Sequence, residues 1–138
     1  MTTKTLKRNI FQRIFGIPAT KPPANAGCWV FKDDKLTIDL NLAPELSEPW
    51  GAIQLEDGDI PVKVLVFQDG EGGYRAFRNH CEHAGRKLDP VPGTETVQCC
   101  SIGKSAYDYD GEVLSGSAEK PITQFTVKVE NKKLEIQL

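Results

Sequence analysis

A thiolate and an imidazole one residue apart stand in the run Cys81-Glu82-His83-Ala84-Gly85. From one tight loop both side chains can face the same metal. Cys100 opens a second run, Cys100-Ser101-Ile102-Gly103-Lys104, and the sixteen residues Ala84 to Cys99 separate it from His83. That distance lets a second loop close over the same point. Thiolate and imidazole are the soft and borderline donors that suit iron and zinc. Cys81, His83 and Cys100 are therefore the candidate metal ligands. Few other donors compete with them, because the chain has two histidines, His80 and His83, and four cysteines. His80 adjoins Cys81, so its side chain should point away from a centre shared by Cys81 and His83. Cys99 ends what reads as a strand, where neighbouring side chains face opposite ways, and suits a small buried hydrophobe better than a ligand. Lys104 would bring a positive charge close to the site.

The elements that must position these loops read as strands. Trp29, Phe31, Leu36, Ile38 and Leu40 alternate around Asp33-Asp34, a hairpin pattern. Residues 42–50 read as a crossing loop with Pro44 and Pro49. Val62–Phe67 is a strand, Asp69–Gly73 a turn and Tyr74–Phe77 the returning strand. The Gly-rich Asp69–Gly73 stretch is no phosphate loop, because no helical pattern follows it. Thr94–Cys100 leads into the second loop, and Ala106–Leu114 reads as a hairpin around Asp110-Gly111. Phe125–Val129 and Leu134–Leu138 close the chain as a hairpin around Asn131. Short strands with regular turns predict an all-β sandwich or barrel.

One helix is expected, ahead of this β region. Leu6, Ile10 and Ile14 fall at helical spacing within Thr5–Phe15, with Lys7, Arg8 and Arg13 around the turn, and Gly16 and Pro18 stop it. Residues 20–27 read as a linker stiffened by Pro22 and Pro23. The division is thus 1–25, a basic amphipathic arm with its linker, and 26–138, the β domain. The arm has two readings. It docks on a partner or an anionic surface through residues 4–15, or it folds back on its own domain.

Composition narrows the function classes. At 138 residues the chain is long enough for one domain with its own core. The net charge of −2 hides an asymmetry: residues 1–25 hold five basic and no acidic residues, and the rest holds 12 basic and 19 acidic. An acidic body argues against nucleic acid as a partner. Four cysteines in this length do not make a secreted disulfide scaffold. No secretory signal pattern opens the chain, and no apolar run approaches the ~20 residues that span a bilayer. The expected location is cytoplasmic.

Asn79-His80-Cys81-Glu82-His83-Ala84-Gly85-Arg86-Lys87-Leu88 resembles the first cluster loop of the Rieske iron–sulfur family, and Cys100 to Leu114 resembles the second loop and its hairpin. The resemblance runs from about Glu48 to Leu138 and implies a small antiparallel β domain with two cluster loops at its tip. It also implies a [2Fe–2S] cluster held by one Cys and one His from each loop. Cys81, His83 and Cys100 match three of those positions. Gly103 stands at the fourth, followed by Lys104 where the family usually has Gly. Glu82 and Ser101 stand where proline often follows each ligand cysteine, and Ser117 where a proline commonly shields the cluster. Tyr107 and Asp108 follow the family's aromatic–Asp step, which implies structural roles for both and makes Tyr107 a candidate hydrogen-bond donor near the tip.

Three states of the site follow. A [2Fe–2S] cluster persists with a fourth ligand from elsewhere, or three residues hold a single Fe or Zn, or the site is empty. In an empty site Cys81 and Cys100, which the family places on one iron, would form a disulfide closing a ~20-residue loop worth ~3 kcal/mol, or stay as thiols. The missing donor favours an empty or non-standard site. The expected function is a Rieske-fold accessory or docking subunit of a redox or multisubunit enzyme complex. Its alternatives are a working Rieske ferredoxin that carries single electrons to an oxygenase or reductase, and a mononuclear Fe/Zn site. No paired acid and base and no nucleophile with its base is evident, so the chain is not expected to be an enzyme on its own.

Overall fold

The computed structural model describes residues 20, 22–56, 60–79, 88–91, 93–99, 106–115 and 122–138. Among them the secondary structure is strands and short 3-10 turns, with no α-helix, in agreement with the all-β expectation. The helix expected over Thr5–Phe15 lies outside the described residues.

The first hairpin joins β1 (Trp29–Lys32) to β2 (Lys35–Asp39) through Asp33 and Asp34, whose φ angles are 54° and 60°. The last joins β10 (Gln124–Glu130) to β11 (Lys133–Gln137) through Asn131 and Lys132, at 51° and 59°. A two-residue turn with both φ values positive matches the twist of the strands it joins. Asp and Asn tolerate that region better than most residues, which is why both turns are visible in the sequence. β2 pairs with β11, so the two hairpins lie side by side.

Residues 42–50 cross between hairpins as expected, with 3-10 turns at Leu40–Leu42 and Pro44–Ser47. β3 (Ala52–Leu55), β4 (Val64–Gln68) and β5 (Tyr74–Arg78) follow, and the antiparallel turn between β4 and β5 is the Asp69–Gly73 stretch. Together these strands make a seven-stranded sheet in the order β1-β2-β11-β10-β5-β4-β3. A second sheet contains β6 (Leu88–Val91), β7 (Thr96–Cys99), β8 (Ala106–Asp108) and β9 (Val113–Ser115), in that order.

Two of these strands escape a pattern reading. β3 is Ala52-Ile53-Gln54-Leu55, and Gln54 is as buried as its apolar neighbours, so it shows no polar–apolar alternation. β6 carries Pro90, which counts against a strand except at a sheet edge. β6 is such an edge.

Two apolar clusters hold the sheets. One lies inside the curl of the larger sheet and gathers Leu36, Ile38, Leu46, Ile53, Leu55, Val64, Val66, Leu134 and Ile136. The other lies between the sheets and includes Leu65, Phe67 and Phe77 from the larger, with Leu88, Val97 and Tyr107 from the smaller. β4 thus alternates in an unusual sense, with Val64 and Val66 in one core and Leu65 and Phe67 in the other. A strand buried on both faces reads as a continuous apolar run, which is what Val64-Leu65-Val66-Phe67 is. Phe67 stacks on Phe77 with ring centres 6.1 Å apart and meets the Tyr109 ring at 5.6 Å.

At the turn between β8 and β9, Gly111 has φ +86°, and a Cβ there would stand 2.3 Å from the Ile122 carbonyl oxygen. Asp108 accepts the Asp110 and Glu112 N–H groups, and Ile122 N–H donates to the Gly111 carbonyl. This is the structural role expected of Asp108.

The stretch read as a linker is bonded to the domain. Ala24 N–H donates to Glu45 Oε2 at 2.8 Å, and Asn25 Oδ1 caps the 3-10 turn Ala26–Cys28 by accepting from Gly27. Further back, Thr20 is buried.

Candidate functional site

Cys81, His83, Cys100 and Gly103 lie outside the described residues, as do His80, Lys104 and Ser117. The frame that carries them is described. β6 and β7 pair with Leu88 opposite Cys99, and β7 and β8 pair with Gln98 opposite Ala106. Leu88 is the residue at which the first loop ends. Cys99 is the residue from which the second loop departs, and Ala106 is where it returns. Ser115 pairs with Ala106, so the segment that follows β9 also leaves from this edge. Neighbouring strands are roughly 5 Å apart, so all these stems stand side by side at one end of the smaller sheet. The pairing brings the two expected ligand loops together at their stems although sixteen residues separate His83 from Cys100.

Asn79 closes the neck of the first loop. It follows β5 and is 2% exposed. Its Oδ1 accepts the N–H of Leu88, the first residue beyond the loop, and its own N–H donates to the Lys63 carbonyl at 2.8 Å. The neighbouring Arg78 N–H donates to Thr123 at 2.9 Å. The loop's entry and exit are thus tied to each other and to the body of the domain. Asn79→Ala leaves the Leu88 N–H buried without this acceptor, at a cost of about 1–3 kcal/mol. Chemical denaturation should show that loss, with Asn79→Asp, which keeps an acceptor oxygen, losing less. Equal losses for the two variants would refute the clamp.

Other residues of the domain sit as follows. Tyr107 is fully buried in the core between the sheets, opposite Val97 and Val113. Tyr109 donates to the Thr94 carbonyl at 3.1 Å, and the Arg75 guanidinium lies 4.9 Å over its ring. Asp69 organises the β4–β5 turn by accepting from Glu71 and Gly73 at 2.9 Å, and it meets Arg75 at 3.5 Å. That turn lies at the opposite end of β5 from Asn79. Cys28 is a free thiol at 1% exposure, and burial pushes its pKa up, with the Glu45 carboxylate adding to the effect. A thiol held protonated in an apolar setting is a poor ligand and a poor nucleophile.

Among the described residues, no group of three or more His, Cys, Asp or Glu side chains is placed to hold a metal. Sequence reasoning missed Asn79, although its position directly before His80-Cys81 was a usable signal. It also missed the contacts of Thr20 with Gln54 and Asp89, for which no local signal exists. No described helix is long and apolar enough to cross a membrane.

The Rieske [2Fe–2S] domain family matches residues 51–126, more than half of the chain. The structure is similar to the ferredoxin of carbazole 1,9a-dioxygenase from Nocardioides aromaticivorans IC177, at 19% identity and a TM-score of 0.57, over 67% of this chain and 90% of that one. It is also similar to the plasma-membrane Rieske protein PetC3 from Synechocystis PCC 6803, at 20% identity and 0.52, over 64% and 87%. A third likeness is to the quaternary ammonium Rieske monooxygenase CntA, at 19% identity and 0.51, over 68% of this chain and 30% of that one. No curated protein matches the sequence. The structural likenesses establish the fold, and the family match covers the strands that bear both loops, β3 to β9. On these grounds the chain belongs to the Rieske [2Fe–2S] domain family.

Proposed function

We propose that this chain is a Rieske-fold accessory or docking subunit of a redox or multisubunit enzyme complex, with a loop site that holds a non-standard metal or none. The observation that carries this reading is the donor set. Two thiolates and one imidazole, Cys81, Cys100 and His83, stand where the family needs two of each. Gly103 has no side chain to offer, and the remaining histidine, His80, adjoins Cys81. The residues present do not fit a complete histidine-ligated [2Fe–2S] centre, so no electron-transfer step is assigned to one. On this reading the chain acts in the cytoplasm and is not an enzyme alone. Its partner is a redox protein or enzyme subunit, engaged through residues 4–15 of the basic arm (residues 1–25), while residues 26–138 form the β domain.

Support for a redox partner comes from the likeness to a dioxygenase ferredoxin over nine-tenths of its length. The acidic charge of residues 26–138 suits a basic face on such a partner. The test is iron and acid-labile sulfide analysis with an absorption spectrum, on full-length protein purified without oxygen. The expected result is well below two irons per chain. About two irons, with the spectrum of a histidine-ligated cluster, would overturn the proposal.

That overturning result would establish the second reading, a Rieske ferredoxin carrying single electrons to an oxygenase or reductase. The observation in its favour is the frame itself, since the strand register keeps both loop stems together.

A further inference from the structure

Thr20 is 8% exposed, and both of its main-chain groups are held by side chains distant in sequence. Its N–H donates to Asp89 Oδ1 at 2.7 Å, and its carbonyl accepts from Gln54 Nε2 at 3.0 Å. Gln54 and Asp89 are 6% and 1% exposed. Gln54 lies on β3, an outer strand of the larger sheet, and Asp89 on β6, an outer strand of the smaller. The segment ahead of the β domain therefore spans the edges of both sheets.

Where it does so matters. Asp89 directly follows Leu88, the stem residue of the first loop, and the Leu88 N–H is already held by Asn79. Asn79 closes the neck from the β5 side, and Thr20 secures the next residue from the outside. A tail can be tethered more cheaply than this. The Ala24–Glu45 bond does so with exposed groups. Burying a carboxylate carries a desolvation cost that several hydrogen bonds must offset, and here that carboxylate sits one residue from the loop stem.

We propose that Thr20, Gln54 and Asp89 form a main-chain clasp by which the segment ahead of the β domain positions the stem of the first loop. The inference rests on reading the loop pair as the functional site. All three are positioning residues, acting on the loop through Leu88 and not on any bound group. Because the clasp reads main-chain atoms of residue 20, most side chains are acceptable there. Proline is not, since it lacks the N–H.

The test is amide hydrogen exchange on full-length Thr20→Pro and Gln54→Met. Each removes one bond of the clasp, and methionine keeps the volume of glutamine. Losing a hydrogen bond to a charged group corresponds to roughly 10- to 100-fold in a local opening equilibrium. Thr20→Pro should speed exchange over residues 79–91 by about that factor, while β4 and β10 stay within about twofold of the parent. Gln54→Met should act in the same place with a smaller effect. Faster exchange confined to residues 20–28 would show a tether only, and a uniform rise would show a general stabiliser. Either outcome overturns the proposal. If Thr20→Pro does not fold, Gln54→Met decides alone by the same pattern. Exchange is read without reference to metal, so iron analysis of the parent protein tests the functional reading separately.

Discussion

Under the proposed function, Gly103→His is expected to turn a protein that retains little iron into one that retains about two irons per chain, with the absorption of a histidine-ligated cluster. Loss of a group that merely orients a metal ligand already costs ~10–100-fold in affinity. Restoring a ligand itself should gain at least that much. The change is confined to one side chain because the frame is in place: Leu88 opposite Cys99 and Gln98 opposite Ala106 align the stems of both loops. The measurement is iron and sulfide content of parent and variant prepared side by side under anaerobic conditions. An unchanged, iron-poor variant would show that the lack of the histidine is not what limits the site. Glu82, Ser101, Lys104 and Ser117 would then be the residues to restore next.

The second large effect concerns the joint between the sheets. Phe67→Ala is expected to cost about 3–5 kcal/mol, the usual range for removing a buried aromatic ring. Phe67 is 0% exposed, stacks on Phe77 and touches Tyr109, which belongs to the segment joining β8 and β9. The cavity would open where the smaller sheet meets the larger, so the strands that bear the loops lose their support. For a chain of this size the melting temperature should fall on the order of 10 °C. A loss below about 1 kcal/mol by chemical denaturation would mean that the two sheets are not held by this core.

Much of the fold was legible because the informative signals are local. Asp33-Asp34 and Asn131 mark turns that need positive φ, and the structure puts both turns there. Val64 to Phe67 reads as a strand because every position is apolar, and only the structure shows that two separate cores require this. β3 and β6 were not legible. Gln54 and Asp89 interrupt them with polar side chains, and each of these buried side chains bonds to the main chain of Thr20. A residue 69 positions away cannot show in a local pattern.

The candidate site divides in the same way. The sequence by itself determined which donor types are on offer: four cysteines and two histidines, with both histidines inside residues 80–83. Side-chain chemistry belongs to the residue, so no folding is needed to know it. Only the tertiary structure decided that the loop stems share one sheet end, that Asn79 ties the neck of the first loop, and that Thr20 reaches the residue beside it. Those facts depend on strand register and on how two sheets pack. Register and packing are set by contacts between residues far apart in the chain, which no local propensity encodes.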